Sequence, residues 1–87
     1  FMKSAAVEYA KDKIVINSLS PGFIKSSYAA EFEKSMPELF KWTLEQTPLG
    51  RWGNCDEVAE LAIFAVSEKN SYMTGTVLYC DGGWTAK

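Results

Sequence analysis

The sequence predicts an α/β fold in which two parallel β-strands are joined through helices. Two short runs rich in β-branched and apolar residues, 14–19 and 76–80, indicate the strands. The first run lacks clean polar–apolar alternation, which is typical of a strand covered on both faces. The segment between them has apolar side chains at helical spacing, and a helical connection between strands of one sheet makes them parallel with a right-handed crossover.

Composition limits the classes of protein to which the chain can belong. Its 87 residues, 47% hydrophobic and 23% charged, suit at most one small globular domain. A net charge of −2 without a basic run argues against nucleic-acid and anionic-membrane partners, and no apolar stretch approaches the roughly 18 residues of a membrane span. The absence of histidine excludes His-based catalytic triads and most zinc sites, so we expect no metal site.

The two cysteines, Cys55 and Cys80, lie far apart in sequence and form no CxxC pair. Two cysteines do not make a disulfide scaffold, so we expect a reducing, cytoplasmic location. A thiol at the start of a helix can have a lowered pKa, but we expect Cys55 to be unreactive.

The first half of the chain has the order helix, strand, helices. Residues 1–10 form the first predicted helix. The strand at 14–19 is expected to be ended by Ser20-Pro21-Gly22, because proline cannot continue a central ladder. Aromatic residues at helical spacing predict helix within 26–47. Pro37 divides this segment into two short helices, since proline is favoured at the first helical position.

The second half has the order helix, strand. Asn54 and Glu57 have the spacing of a capping box, which predicts a helix over 55–66. Apolar residues on this helix extend beyond one face, so we expect it to be covered on more than one side. The strand at 76–80 is expected to end at Asp81-Gly82-Gly83.

Two strands and these helices do not make a self-sufficient core. A two-stranded sheet leaves long edges, and backbone ordering costs roughly 1–2 kcal/mol per residue, which so thin a core would hardly offset. In addition, no capping residue precedes the apolar pattern that starts at Phe1. We therefore expect the chain to be a segment of a longer polypeptide.

Six stretches of the sequence carry a family resemblance: Lys3-Ser4-Ala5-Ala6-Val7-Glu8, then Ile16-Asn17 with Ser20-Pro21-Gly22-Phe23-Ile24, Pro48-Leu49-Gly50-Arg51-Trp52-Gly53, Glu57-Val58-Ala59 with Phe64, Tyr72-Met73-Thr74-Gly75, and Asp81-Gly82-Gly83-Trp84. In this order and spacing they resemble the C-terminal third of the short-chain dehydrogenase/reductase family. The chain departs from the family pattern at Val15, where many relatives have Arg, and at Cys55, where Pro commonly begins the helix.

The resemblance implies an NAD(P)-dependent oxidoreductase on a doubly wound, parallel-sheet Rossmann fold. Residues 1–87 would be the C-terminal segment of that domain, containing its last two strands and the helices between them. The catalytic residues would lie upstream of Phe1, in the missing N-terminal half, so the segment alone is not expected to be active. The parent would transfer hydride between nicotinamide and a carbonyl or secondary alcohol substrate.

The loop after the first strand is the expected cofactor contact. It leaves the carboxyl end of a parallel strand, where open α/β sheets bind ligands. The resemblance implies that backbone groups of Ile24 hold the carboxamide of NAD or NADP, in a site formed by Pro21, Gly22, Phe23, Ile24 and Ser26. The alternative is a plain strand-to-helix turn in which Ser26 or Ser27 caps the next helix.

The helices at 27–47 occupy the position of the family's substrate lid. Their aromatic side chains could line an apolar pocket over the nicotinamide and exclude water. The alternative is that they pack the helices onto the body of the protein. The residues concerned are Tyr28, Phe32, Phe40 and Trp42.

Two other sequence features are expected to have structural roles. Tyr9 and Lys13 have the spacing of the family's catalytic Tyr-x-x-x-Lys pair, but they lie at the end of a helix and downstream of the matching family stretch. We interpret that spacing as chance. Residues 48–53 form a turn-rich connector ahead of the helix at 55–66. Arg51 and Trp52 are expected to brace this connector rather than bind phosphate or substrate.

The resemblance also implies oligomer formation. Helix 55–66 and strand 76–80 would form one subunit interface of a homotetramer or dimer, with helix 1–10 on another or against the missing half of the fold. Two other classes remain open: a non-catalytic family member that serves binding or assembly, and a free-standing interaction module.

Overall fold

The computed structural model describes all 87 residues, Phe1 to Lys87. It contains four α-helices, two 3₁₀ turns at Ala10–Asp12 and Trp84–Ala86, and four short strands. In chain order the helices and strands are α1 (Met2–Tyr9), β1 (Ser18–Pro21), β2 (Ile24–Lys25), α2 (Ala29–Ser35), α3 (Pro37–Gln46), β3 (Gly53–Asn54), α4 (Cys55–Val66) and β4 (Val77–Cys80).

The main sheet pairs β1 with β4 in parallel, as predicted, in a register that runs from Ser18 opposite Val77 to Pro21 opposite Cys80. The predicted bounds of the first strand were wrong. The stretch 14–17 is not strand, because the chain opposite it is still turning at Gly75 (φ +73°). There Gly75 N–H donates to the Ile16 carbonyl at 2.8 Å, ahead of the ladder.

The sequence-based expectation that the first strand ends before Pro21 was also wrong. The backbone N–H groups of Ser18 and Gly22 donate to carbonyls of the neighbouring chain segment, Thr76 and Cys80, both at 3.0 Å. Residues alternate in direction along a strand, so the position of Pro21 faces away from β4 and requires no N–H there. Proline is therefore accommodated at the last position of β1.

A second, smaller parallel ladder was not predicted. β2 pairs with β3, with Ile24 opposite Gly53 and Lys25 opposite Asn54. Strands of two residues are too short to show a hydrophobic period, which is why the sequence pattern did not reveal them. This ladder links the loop after β1 to the start of α4.

The helices follow the predicted signals closely. Pro37 is the first residue of α3 and separates it from α2. Asn54 and Glu57 form the predicted capping box at the start of α4. Lys13 adopts a left-handed conformation (φ +62°) after α1 and its 3₁₀ turn, so Tyr9 and Lys13 do not share a continuous helical face.

The chain is elongated, and little of it is buried. Its extents are 49 × 23 × 20 Å and its radius of gyration is 16.0 Å, against about 12 Å for a compact domain of this length. The accessible surface of 6595 Å² exceeds the roughly 5,100 Å² typical of a monomeric protein of this mass. Large apolar side chains on α4 remain open, with Ile63 65% and Val66 85% exposed. The predicted covering of this helix therefore does not come from the chain's own residues.

The best-covered region is an aromatic cluster around Trp52, which is 6% exposed. Phe23 and Phe32 stack on its indole with ring centroids at 5.3 and 5.6 Å, and Phe40 lies at 5.0 Å. The cluster thus joins α2, α3 and the connector to the loop after β1.

No helix of the structure has the length and apolar character that a membrane crossing requires.

Candidate functional site

The loop after β1 is held tightly against the end of β4. Gly22 N–H donates to the Cys80 carbonyl, and a Cβ atom at Gly22 would lie 2.8 Å from the Asp81 Cα. Only glycine permits this approach of the two backbones. The carboxyl ends of both strands and the loop therefore meet at one edge of the sheet.

The backbone of Ile24 is the polar feature of this loop. Gly53 N–H donates to the Phe23 carbonyl at 2.9 Å, which places Phe23 on the side of β2 that faces β3. Because backbone groups alternate in direction along a strand, the N–H and C=O of Ile24 point to the opposite edge. No strand pairs with that edge. Ile24 thus offers one donor and one acceptor side by side.

The other loop residues with predicted cofactor contacts differ in their surroundings. The Phe23 ring packs on Trp52 and meets Trp84 edge-on at 5.5 Å. Ser26 is exposed, and its hydroxyl accepts a hydrogen bond from Tyr28 N–H at 3.3 Å. The N-cap of α2 is Tyr28, with no side-chain capping bond, so neither Ser26 nor Ser27 caps the helix as the alternative interpretation required.

An open groove of about 460 Å³ lies beside Phe23 and Ile24. Its other walls include the segments 47–49 and 79–83, which we had not predicted to form part of a site, and Arg51, Gly53 and Glu57 complete the lining. Gly82 has a φ of +64°, and a Cβ atom there would lie 2.7 Å from the Thr47 Cγ2. The close fit of these two segments explains why glycine follows Asp81.

Asp81 organises the turn after β4. Its carboxylate accepts hydrogen bonds from the Thr85 hydroxyl at 2.7 Å, the Thr85 N–H at 3.1 Å and the Gly83 N–H at 3.0 Å. These donors, the Thr85 hydroxyl foremost, hold the pKa of Asp81 below its usual range. The sequence pattern placed Asp81 at the end of a strand and in a family stretch but indicated no role for its side chain. A carboxylate followed two and four residues later by Gly83 and Thr85 was the signal of this turn.

Arg51 and Glu57 form a bidentate ion pair at the rim of the groove. Both guanidinium–carboxylate distances are 2.9 Å, and Glu57 also accepts a hydrogen bond from Asn54 N–H at 2.8 Å. These bonds, that from Arg51 foremost, lower the pKa of Glu57 to about 2, and the same pair raises the pKa of Arg51. Arg51 therefore braces the connector, as predicted.

The lid residues divide into packed and open side chains. Phe32 and Phe40 belong to the cluster around Trp52, with their centroids 6.2 Å apart, and Trp42 meets Trp84 edge-on at 5.6 Å. Tyr28 contributes to neither group and is 75% exposed. The packing interpretation thus describes contacts that three of the four residues make, whereas Tyr28 is available to a ligand.

The turn before β4 depends on two asparagines whose hydrogen-bonding role the sequence pattern did not reveal. Asn17 accepts from Thr76 N–H at 3.0 Å and donates to the Met73 carbonyl at 3.1 Å. Buried Asn70 accepts from Met73 N–H at 2.9 Å and donates to the carbonyls of Ala65 and Met73. These side chains form hydrogen bonds with backbone groups that have no partner in a strand ladder.

Neither Cys55 nor Cys80 forms a disulfide.

Comparisons with known proteins extend over nearly the whole chain. A family model described as enoyl-(acyl carrier protein) reductase matches residues 1–85. The chain is 40% identical over 83 residues to the 3-oxoacyl-[acyl-carrier-protein] reductase FabG of Aquifex aeolicus, covering 95% of this chain and 32% of that protein. It is 42% identical over 85 residues to the cyclohexanol dehydrogenase of an Acinetobacter strain, covering 98% of this chain and 32% of that protein.

The structural comparison agrees with the sequence relatives. The structure of ElxO with NADP bound superposes with a TM-score of 0.88 at 32% identity, covering 99% of this chain and 35% of that one. The predicted partial Rossmann fold is thereby confirmed. The chain spans about a third of the length of the curated relatives it matches. By its sequence and its fold, the chain belongs to the short-chain dehydrogenase/reductase family.

Proposed function

We propose that residues 1–87 form the C-terminal segment of an NAD(P)-dependent oxidoreductase that transfers hydride between nicotinamide and a carbonyl or secondary alcohol. The observation that carries this proposal is the unpaired backbone N–H and C=O of Ile24 at the carboxyl end of the sheet. A carboxamide has one acceptor and one donor group, which complement this pair. The relative with NADP bound supports the choice of cofactor.

Each residue of the loop has a different role in binding the cofactor. Pro21 ends β1, Gly22 lets the backbone approach the end of β4 without a side chain in the way, and Ile24 supplies the two hydrogen-bonding groups for the carboxamide. The Phe23 ring anchors the loop in the aromatic cluster. Ser26 has a hydroxyl proton to donate to the carboxamide or the diphosphate, because its oxygen is the acceptor in the bond to Tyr28. When bound, the nicotinamide supplies or accepts the hydride.

The helices at 27–47 act as a substrate lid in this proposal. Phe32, Phe40 and Trp42 give the lid a rigid apolar base, and exposed Tyr28 stands at its outer end. An apolar cover over the nicotinamide would keep water from the reacting carbon. The names of relatives that act on 3-oxoacyl groups and on cyclohexanol support a carbonyl or secondary alcohol as substrate.

The remaining parts of the active site would come from further polypeptide. In this proposal the other strands of the sheet cover the open edge of β1 and carry the catalytic residues, so that this segment alone is inactive. Helix 55–66 and strand 76–80 would form an interface of a homotetramer or dimer, consistent with the exposure of Ile63 and Val66. Two free thiols and the absence of a disulfide suit a cytoplasmic location.

Binding of NADPH and NADH to the whole polypeptide that carries this segment tests the proposal. Ile24→Pro removes the N–H while sparing the ladder, because the Ile24 N–H does not face β3. We expect NADPH or NADH to bind about tenfold more weakly to this variant than to the matched Ile24→Ala control, which keeps both backbone groups. Absence of any dinucleotide binding by the unmodified protein, or equal binding by both variants, would overturn the proposal.

A further inference from the structure

The connector before α4 is closed into a hydrogen-bonded ring by one carboxylate. Glu57 receives two bonds from Arg51 and one from Asn54 N–H, and Arg51 Nη1 also donates to the Trp52 carbonyl at 3.1 Å. The carboxylate of Glu57 is thus bonded to both ends of the segment 51–54, to the side chain of Arg51 and to the backbone of Asn54. An ordinary capping box would join Glu57 only to the helix start; the bidentate arginine adds the preceding segment.

Gly53 lies inside this ring and contacts the loop proposed to bind nicotinamide. Its N–H donates to the Phe23 carbonyl, and it stands opposite Ile24 in the β2–β3 ladder. The approach is close, since a Cβ atom at Gly53 would lie 3.0 Å from the Ile24 Cδ1. Next to it, the Cys55 thiol donates to the Lys25 carbonyl at 3.2 Å. Any displacement of the ring would therefore be transmitted to Ile24.

We propose that Glu57 is a positioning residue for the cofactor loop: by holding Arg51 and Asn54 it fixes Gly53, and Gly53 in turn fixes the backbone of Ile24. This inference rests on the proposed function and goes beyond it, because Glu57 would control cofactor affinity without touching the nicotinamide. An isolated ion pair as exposed as this one contributes little to global stability. The expected effect is therefore local to the β2–β3 ladder.

The test uses Glu57→Gln in the whole polypeptide, with Glu60→Gln as the matched control. Glu60 is exposed on the same helix and takes part in no ion pair. Glutamine keeps an oxygen for Asn54 N–H but loses the charge and the bidentate bond. Hydrogen exchange at the Gly53 amide reports on the β2–β3 ladder, and exchange at the Gly22 amide reports on the β1–β4 ladder.

We expect Glu57→Gln to accelerate exchange at Gly53 about tenfold and to leave exchange at Gly22 unchanged. NADPH should bind about fivefold more weakly, whereas 2′-phospho-ADP-ribose, which is NADPH without its nicotinamide, should bind equally well. Glu60→Gln should match the unmodified protein in all four measurements. Arg51→Lys, which keeps both charges and the Asn54 bond, should cause a smaller change in the same direction.

Three outcomes would overturn the inference. Unchanged exchange at Gly53 would show that the ring does not hold the ladder. Equal acceleration at Gly53 and Gly22, or equal weakening of both ligands, would show a general loss of structure in place of positioning. If the unmodified protein bound 2′-phospho-ADP-ribose and NADPH with equal affinity, the nicotinamide contact itself would be refuted, while the exchange at Gly53 would still decide whether Glu57 fixes this loop.

Discussion

Replacing Thr43 by valine removes one hydroxyl from the centre of the aromatic cluster. Thr43 is 1% exposed, and its hydroxyl oxygen accepts a hydrogen bond of 2.8 Å from the Trp52 indole N–H while its proton goes to the Phe40 carbonyl at 2.6 Å. Valine has nearly the same shape but no acceptor. Thr43→Val therefore leaves the indole N–H, the single donor of a buried side chain, without a partner.

The expected loss of stability follows from the one group that is left unpaired, the indole N–H of Trp52. A buried donor without a partner costs about 1–3 kcal/mol, so we expect Thr43→Val to lower the free energy of unfolding by about 2 kcal/mol. Thr47→Val is the matched control, because its hydroxyl only donates to the Thr43 carbonyl at 2.7 Å, and that carbonyl retains the Thr47 N–H at 3.2 Å. With no group orphaned, the control should cost less than about 1 kcal/mol.

Urea unfolding of the whole polypeptide, followed by far-ultraviolet circular dichroism, measures both variants. A double-mutant cycle with Trp52→Phe isolates the hydrogen bond, since phenylalanine has no N–H to orphan. In the Trp52→Phe background, Thr43→Val should cost less than about 1 kcal/mol. An equal cost of Thr43→Val in both backgrounds would refute the assignment of the stabilisation to this bond.

Three further perturbations probe the site and its supports. Gly82→Ala should lower the free energy of unfolding by about 1–2 kcal/mol more than the control Gly50→Ala. Both positions have positive φ, but only at Gly82 would the added Cβ atom meet Thr47. Equal losses of stability would contradict the close contact. The pKa of Glu57, lowered to about 2, means that the stabilising contribution of this carboxylate to the β2–β3 ladder is complete above the unfolded value of about 4.3 and is lost as the pH falls towards 2. Protection of the Gly53 amide from hydrogen exchange should therefore fall across that range, Glu57→Gln should remove this part of the pH dependence, and an unaltered profile would count against it. Asn70→Ala should lower the free energy of unfolding in urea by about 1–3 kcal/mol, because the Met73 N–H and the carbonyls of Ala65 and Met73 lose this partner. A loss below about 0.5 kcal/mol would show that water replaces the side-chain amide.

The aromatic cluster connects the proposed cofactor loop with the proposed lid. Phe23 comes from the loop, Phe32 from α2 and Phe40 from α3, and all three rings pack on Trp52 of the connector. The three elements therefore share one packed centre. Changes in the packing of Trp52 should accordingly affect the loop and the lid together.

Local signals in the sequence located the helices well. The capping box at Asn54 and Glu57 and the helix start at Pro37 depend on groups three or fewer residues apart, so the sequence pattern contains the whole interaction. The strands were located less accurately. Where β1 begins depends on where its partner stops turning, at Gly75, nearly sixty residues away in sequence.

The same division applies to the candidate site. The sequence by itself determined the family, the parallel pairing of the two main strands and the position of the loop at 21–26. The motifs identify the family and the loop, and the order of helices and strands predicts the parallel pairing. Only the tertiary structure revealed the β2–β3 ladder, the packing of Gly82 on Thr47 and the ring that Glu57 closes around Gly53. Two-residue ladders and backbone contacts between distant segments have no periodicity and no composition of their own. They arise only when the folded chain brings those backbones within hydrogen-bonding and van der Waals distance.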